Sequence, residues 1–326
     1  MVTTFDGQEI EGVDNAITRG DTYGMRPENS FSGILSFLRT QYSKELEHAD
    51  IAITGIPYDL AVSNRPGTRF GPRAVREAST DLAWGPQFPW THDPLKRVSV
   101  IDYGDCDIDI GNPHLIPKQI EQHIDGILGA GVSSIAIGGD HFMSLPIMRS
   151  YAKKYGPLAM VQFDAHSDTW SEETKRIDHG TMFFHAIKEG IIDPKRSIQI
   201  GIRTFNSDQL GIRWLDANWV HENGIKSSIA EIIKATGDGP AYLTFDIDCL
   251  DPAFAPGTGT PVCGGLSTYQ ARSILNGLNQ VNFKGMDLVE VSPHYDSAGI
   301  TALAAATLIL DYLQMLTVNM PDSGGT

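Results

Sequence analysis

Short apolar runs alternate with longer segments of helical period from about residue 50 to the end of the chain. The apolar runs are short enough to be strands and lie at 51–55, 98–102, 134–137, 158–163, 197–202, 241–245 and 285–291. The segments of helical period lie at 116–128, 145–154, 228–235, 268–278 and 300–316. Strands that alternate with helices need right-handed crossovers, which place helices on both faces of a parallel sheet. We therefore predict an α/β fold, a single-domain three-layer α/β/α sandwich with a mainly parallel sheet over residues 31–326. A polar, glycine-containing arm at 1–30 precedes it.

Acidic and imidazole side chains stand at the ends of three apolar runs. They are His141, Asp164, His166, Asp168, Asp246 and Asp248. In an extended chain, residues two positions apart point to the same side, so each run is predicted to aim its polar side chains in one direction. In parallel sheets, ligands gather beyond the carboxyl ends of the strands, where these side chains are predicted to lie.

Four carboxylates at one sheet edge would repel one another and lose hydration unless cations lay among them. An isolated Asp-x-His-x-Asp is also compatible with a solvated turn, but three strand ends that carry such residues favour a metal site. Two dications balance four aspartates. Because oxygen donors predominate and only two imidazoles are present, the pattern favours a hard or borderline ion such as Mn²⁺.

Three ordered motifs resemble a known family. They are Gly-Gly-Asp-His at 138–141, Asp-Ala-His-Ser-Asp at 164–168 and Thr-Phe-Asp-Ile-Asp-Cys-Leu-Asp-Pro at 244–252. They are similar to the signatures of the ureohydrolases, the arginase and agmatinase superfamily. Stretches at 178–184, 188–194, 249–262 and 300–308 resemble bacterial agmatinases in particular. The resemblance implies an arginase/deacetylase-like fold with two Mn²⁺ per subunit.

The resemblance also implies two ligand sets that share a pair of bridging aspartates. One Mn²⁺ would be bound by His141, Asp164, Asp168 and Asp246. The other would be bound by Asp164, His166, Asp246 and Asp248. It further implies a hydrolase in which a metal-bridging hydroxide attacks a guanidinium carbon and releases urea. Glu290 matches the family glutamate that holds the guanidinium, and His179 matches the family histidine that transfers protons.

The loop at 169–175 bears on which guanidino compound is cleaved. It departs from the arginase pattern, and it is acidic with one aromatic residue, which favours a substrate whose far end is a second cation. Trp170 and Glu172 are the candidate substrate-binding residues, and agmatine is the expected substrate. Guanidinobutyrase and guanidinopropionase remain alternatives. Their substrates end in a carboxylate, for which the candidate partners are Arg65, Arg69 and Lys175.

Composition favours a cytoplasmic enzyme. The net charge of −15 disfavours nucleic acid and would attract a small cationic substrate. Three cysteines without a Cys-x-x-Cys pair indicate neither a disulfide framework nor a thiolate metal site. The first residues lack a signal-peptide pattern, and the segment 300–316 is predicted to be a buried core helix rather than a membrane element. The family resemblance implies a homo-oligomer, a trimer or hexamer.

Two functions of other classes are alternatives to a ureohydrolase. A metal-dependent deacetylase shares the sheet, but that family typically uses a single zinc with fewer acidic ligands. A binding protein without catalysis would be expected to lack a ligand or the proton-transferring histidine, and the sequence has all of them.

Overall fold

The computed structural model describes residues 3–5, 8–10, 15–18, 22–24, 29–171, 177–207 and 209–322. Within the predicted arm, a two-stranded antiparallel hairpin and one helical turn are described. They are β1 (Thr3–Phe5), β2 (Gln8–Ile10) and α1 (Asn15–Thr18). Residues 22–24, 29 and 30 of the arm are also described, and its other residues lie outside the described ones.

A nine-stranded parallel sheet forms the middle layer. Its strands are β3 (Gln41–Tyr42), β4 (Ile51–Ile56), β5 (Val100–Asp105), β6 (Ser133–Gly138), β7 (Ala159–Phe163), β8 (Ile198–Ile200), β9 (Arg213–Leu215), β10 (Ala241–Asp246) and β11 (Phe283–Val289). They are ordered β3-β5-β4-β6-β11-β10-β7-β8-β9. Every residue of β4, β7 and β10 is buried, which explains why these strands are continuous apolar runs.

Helices cover both faces of the sheet. They are α2 (Gly71–Ser79), α3 (Ile116–Gly129), α4 (Ser144–Tyr155), α5 (Met182–Lys188), α6 (Ala217–Thr236), α7 (Thr268–Asn276) and α8 (Ile300–Thr317). One core cluster joins the sheet to α2, α6, α7 and α8, and the other joins it to α3, α4 and α5. Side chains of β10 alternate between the two clusters: Leu243 and Phe245 enter the first, and Tyr242 enters the second. The predicted three-layer sandwich is confirmed.

Several element boundaries differ from the predicted ones. The predicted helix 228–235 is the second half of α6, whose backbone breaks at Gly224 (φ 78°) and whose first half is too polar to give a clear helical period. The predicted strand 197–202 is shorter, because Gly201 turns the chain with φ 93°. The predicted elements do not include β3, β9, α2 or α5, each of which has nine residues or fewer.

The helix α8 is, by length and composition, apolar enough to cross a membrane. However, 78% of it is buried inside the protein, between α2, α7 and the sheet. It is a core helix, as its sequence predicts.

Candidate metal centre

The four central strands are neighbours in the order β6-β11-β10-β7, and each carries a predicted site residue at its carboxyl end. Because the strands are parallel and Phe245 is in register with Phe163, and Asp246 with Val289, these ends lie side by side. His141 follows β6, Glu290 follows β11, Asp246 ends β10 and Asp164 follows β7. Strand order alone therefore brings together side chains that are distant in sequence.

Within each motif, the polar side chains come together in a different way from the predicted alternation along an extended strand. Strand alternation does not aim the polar side chains, because β7 ends at Phe163 and the motif 164–168 is irregular, with Asp168 at φ 52°. Asp248 lies in a 3₁₀ turn after β10. Each turn is closed by a carboxylate of the site: the His166 amide donates to Asp164 (2.6 Å) and the Asp248 amide donates to Asp246 (2.8 Å).

Two groups of potential ligands share Asp164. In the first, His141 Nδ1 lies 3.0 Å from Asp164, 2.9 Å from Asp168 and 3.2 Å from Asp246. In the second, His166 Nδ1 lies 3.0 Å from Asp248 and 3.4 Å from the other oxygen of Asp164. All six predicted ligands are thus brought together.

Burial and mutual repulsion shift the pKa values of the carboxylates. Burial, with the charges of Asp248 and Asp164, raises the pKa of Asp246 well above its usual range. Burial and the charge of Asp164 raise the pKa of Asp168 to about 7. Asp164 behaves differently: burial opposes ionisation, but hydrogen bonds with both histidines outweigh it and lower its pKa.

The two imidazoles respond to the same charges. Burial would lower the pKa of His166, but the charge of Asp248 and hydrogen bonds with both its acidic neighbours raise it to about 12. Hydrogen bonds with three carboxylates likewise outweigh burial and raise the pKa of His141. This acidic cavity needs positive charge among its oxygens, and divalent cations would supply it while displacing the imidazole protons. The oxygen-rich donor set fits a pair of such ions.

Glu290 lies beside the first group in a strained conformation. It is a non-glycine residue at φ 64° and its side chain is 1% exposed. One carboxylate oxygen accepts hydrogen bonds from the His141 amide (2.9 Å) and from His179 Nδ1 (3.0 Å). The other oxygen is buried with no hydrogen-bond partner among the described residues. A carboxylate oxygen in this state is ready to receive a cation.

His179 bridges Glu290 and the loop that follows β4. Its Nε2 lies 2.8 Å from the Ser63 hydroxyl, and the Ser63 amide donates to the same nitrogen (2.9 Å). Burial would lower the pKa of His179, but its hydrogen bond with Glu290 and the charge of that carboxylate raise it to about 9.

A cleft of about 310 Å³ opens beside His166, Asp246 and His179. Besides His166 and Asp246, its lining includes Ser63, Trp170, Asp178, His179, Thr181 and Thr260. Trp170, a candidate substrate-binding residue, lines this cleft, whereas Glu172 is outside the described residues. Sequence reasoning missed the other polar lining residues. Their positions in the sequence could have indicated some of them. Asp178 and Thr181 lie within two residues of His179, and Thr260 lies in the agmatinase-like stretch 249–262.

None of the described lining residues is Lys or Arg. Arg69 is paired with Asp59 through two nitrogens, one of them at 2.6 Å. Arg65 lies over the ring of Tyr295, with 5.1 Å between the guanidinium carbon and the ring centroid. Lys175 is outside the described residues. Neither arginine proposed as a partner for a substrate carboxylate lines the cleft.

Comparison with known proteins places the chain in one family. Residues 49–314 match the arginase family. The chain is 51% identical to an agmatinase of Chromobacterium violaceum over 93% of its own length and 95% of the relative's. A crystal structure of a hypothetical agmatinase from Burkholderia thailandensis superposes with a TM-score of 0.91 and 50% identity, covering 93% of this chain and 96% of that one. Proclavaminate amidino hydrolase from Streptomyces clavuligerus superposes with a TM-score of 0.84 and 35% identity, covering 88% and 98% respectively. The chain belongs to the arginase family and is most similar to bacterial agmatinases.

Proposed function

We propose that this protein is an agmatinase that hydrolyses agmatine to putrescine and urea, a step of polyamine biosynthesis. The observation that carries the proposal is a buried carboxylate oxygen of Glu290 that has no hydrogen-bond partner among the described residues, beside the six grouped metal-ligand side chains. A guanidinium ion is a cation that this oxygen can bind. The 51% identical relative named agmatinase supports the choice of agmatine.

The chain's own residues would hold the metals and the substrate. His141, Asp164, Asp168 and Asp246 would bind one ion, and Asp164, His166, Asp246 and Asp248 the other. When bound, two such ions lower the pKa of a water between them toward neutrality. Glu290 would fix the guanidinium so that its carbon faces that water. Holding the reacting groups in place lowers the entropic cost of bringing them together.

His179 would supply the proton that the leaving group requires. Hydrolysis forms a bond between the water oxygen and the guanidinium carbon, and it breaks the bond between that carbon and the nitrogen of the butylamine chain. The departing nitrogen must gain a proton. Burial would lower the pKa of His179, but Glu290 raises it to about 9, which favours the protonated imidazole that can donate this proton. Protonation of Nε2 would break its hydrogen bond from the Ser63 amide and leave the Ser63 hydroxyl as the acceptor.

The polar groups of the cleft favour a substrate with a second cation. Asp178 adds a carboxylate to the lining and Trp170 adds an aromatic face, both of which attract an ammonium group. A guanidinobutyrase or guanidinopropionase would need a cation for the substrate carboxylate. Arg69 is instead engaged by Asp59.

The decisive experiment measures urea release from agmatine, arginine, 4-guanidinobutyrate and 3-guanidinopropionate with Mn²⁺ present. We expect agmatine to give the highest kcat/KM. Preference for one of the carboxylate-bearing compounds would overturn the assignment to agmatine. Cleavage of none of the four, by protein that binds two ions, would favour a deacetylase or a non-catalytic binding protein.

We further propose that each subunit binds two Mn²⁺ and that an N-terminal arm at 1–30 precedes one domain. We also propose that the protein is cytoplasmic and forms a homo-oligomer, a trimer or hexamer, without nucleic-acid or membrane partners. Exposed aromatic side chains support self-association, since Phe88 is 90% and Tyr269 is 72% exposed, and both line one surface groove. Elemental analysis of purified protein would test the metal, and light scattering after size exclusion would test the oligomer.

A further inference from the structure

A buried chain of hydrogen bonds runs away from the metal centre behind His141. The Nε2 atom of His141 lies 2.8 Å from the hydroxyl of Thr244, which donates to a carboxylate oxygen of Asp287 at 2.6 Å. The strands β10 and β11 hold Thr244 and Asp287 as direct cross-strand partners. Each of these two residues is 0% exposed, and His141 is 1% exposed.

The direction of the chain follows from its donors and acceptors. A threonine hydroxyl carries one hydrogen, and here that hydrogen points to Asp287. The hydroxyl can therefore only accept from His141, so that Nε2 carries a hydrogen. The lone pair of the neutral imidazole is then on Nδ1, the atom that faces the carboxylates of the first ligand group.

We propose that Thr244 and Asp287 are positioning residues, which fix the tautomer and ring orientation of His141 for metal binding. The proposal rests on the metal centre of the proposed function. A histidine that binds a metal usually donates its other N–H to an acceptor that holds it in place. In this protein the acceptor is a hydroxyl, oriented in turn by a carboxylate on the next strand.

A role in packing alone does not explain Asp287. Its neighbours in β11, Met286 and Leu288, are fully buried apolar residues, and an apolar side chain at 287 would avoid the cost of burying a carboxylate. Two other buried aspartates have arginine partners: Asp102 pairs with Arg76, and Asp311 pairs with Arg272. In the part of the chain that the structure describes, Asp287 forms no such ion pair.

The test compares Thr244→Val, which removes the hydroxyl at nearly constant volume, with Thr244→Ser, which keeps it. Calorimetric titration of metal-free protein with Mn²⁺ gives the affinity for each ion. We expect Thr244→Val to weaken one of the two ions by roughly 10- to 100-fold and Thr244→Ser to restore most of that affinity. Wild-type affinity for both ions in folded Thr244→Val would overturn the proposal.

Two further variants keep the result interpretable. Asp287→Leu, which has a similar size and no acceptor, should also weaken one ion, and it provides the test if Thr244→Val does not fold. Thr54→Val makes the same change as Thr244→Val at a fully buried threonine of β4, whose hydroxyl donates to the Gly104 carbonyl (2.9 Å), and it should leave both affinities unchanged. Equal losses in Thr54→Val and in either test variant would overturn the proposal, because the loss of any buried polar group would then have the same effect.

The titration does not depend on urea release, so the two proposals can fail separately. If Thr244→Val weakens one ion while the wild-type protein cleaves no guanidino compound, the positioning role stands and the proposed function falls. If the wild type cleaves agmatine while Thr244→Val binds both ions normally, only the positioning role falls.

Discussion

His179 Nδ1 and Glu290 Oε1 are joined by a 3.0 Å hydrogen bond across 111 positions of sequence. The residue expected to hold the guanidinium and the residue expected to donate a proton are therefore partners before a substrate enters. Because the second oxygen of Glu290 has no partner among the residues that the structure describes, the guanidinium contact that we propose would not break this bond. The arrangement would place the donor beside the nitrogen that leaves.

Replacing His179 by Asn should separate catalysis from metal binding. The variant removes the proton donor but none of the six grouped ligands, so we expect kcat to fall by roughly 10²-fold or more while both ions remain bound. Steady-state urea release and elemental analysis of the same preparation measure the two effects. An unchanged kcat would reduce His179 to a structural role.

Replacing Asp164 should have a larger effect on metal content than replacing Asp248. Asp164 belongs to both ligand groups, whereas Asp248 belongs only to the group with His166. We expect Asp164→Ala to lose both ions and Asp248→Ala to lose chiefly one. Bound metal per subunit after dialysis gives the answer, and retention of two ions by Asp164→Ala would contradict the shared site.

The sequence predicts the strands of this site better than it predicts their arrangement. Strands buried on both faces appear as continuous apolar runs, so β7 and β10 could be located closely. The spatial order β6-β11-β10-β7 depends on which crossovers form, and the hydrophobic pattern is the same for any order. The ligands could still be predicted to meet, because all parallel strands end at the same edge.

Side-chain direction in the loops could not be predicted in this way. Alternation along an extended chain predicted that the polar side chains of each motif would converge, but turns closed by Asp164 and Asp246 take the place of the extended chain. Tertiary contacts alone bring Ser63 to His179 and Asp287 to Thr244. No local pattern in the sequence reports such pairs.

Gly139→Ala should destabilise the protein and weaken metal binding together. A Cβ at this position would lie 1.9 Å from the Tyr58 carbonyl oxygen and 2.8 Å from that of Ile56, and these backbone atoms cannot rotate away. We expect a loss of about 1–3 kcal/mol in the free energy of unfolding. The shift of the backbone would also displace His141.

Gly126→Ala is the matched control for that variant. Gly126 lies in α3, and a Cβ there would meet nothing within 4 Å. We expect this change to stabilise the fold by about 0.5–1 kcal/mol, since alanine favours a helix over glycine. Urea denaturation of both variants measures the two effects, and similar losses in both would contradict the steric argument.

Trp170→Ala should raise KM for agmatine with little change in kcat. Trp170 lines the cleft, and its ring centroid lies 6.4 Å from that of His166. Removing the contact between an aromatic ring and a bound cation costs up to about 2 kcal/mol of binding free energy, so we expect KM to rise by about tenfold. Steady-state kinetics would test this, and a fall in kcat at constant KM would instead assign Trp170 to the positioning of the reacting groups.

The pair of His179 and Glu290 should make the stability of the metal-free protein depend on pH. In the folded protein the pKa of His179 is raised to about 9, while a histidine in an unfolded chain titrates near about 6.5. A raised folded-state pKa means that the pair's stabilisation is fully present below pH of about 6.5 and is lost as the pH rises through about 9.

We expect the melting temperature of His179→Gln to lie below that of the wild type at pH 6, and we expect this gap in melting temperature to close by pH 10. Glu290→Gln should follow the same course, since it removes the other partner. A gap that stays constant or widens with rising pH would show that His179 is not protonated in the folded protein.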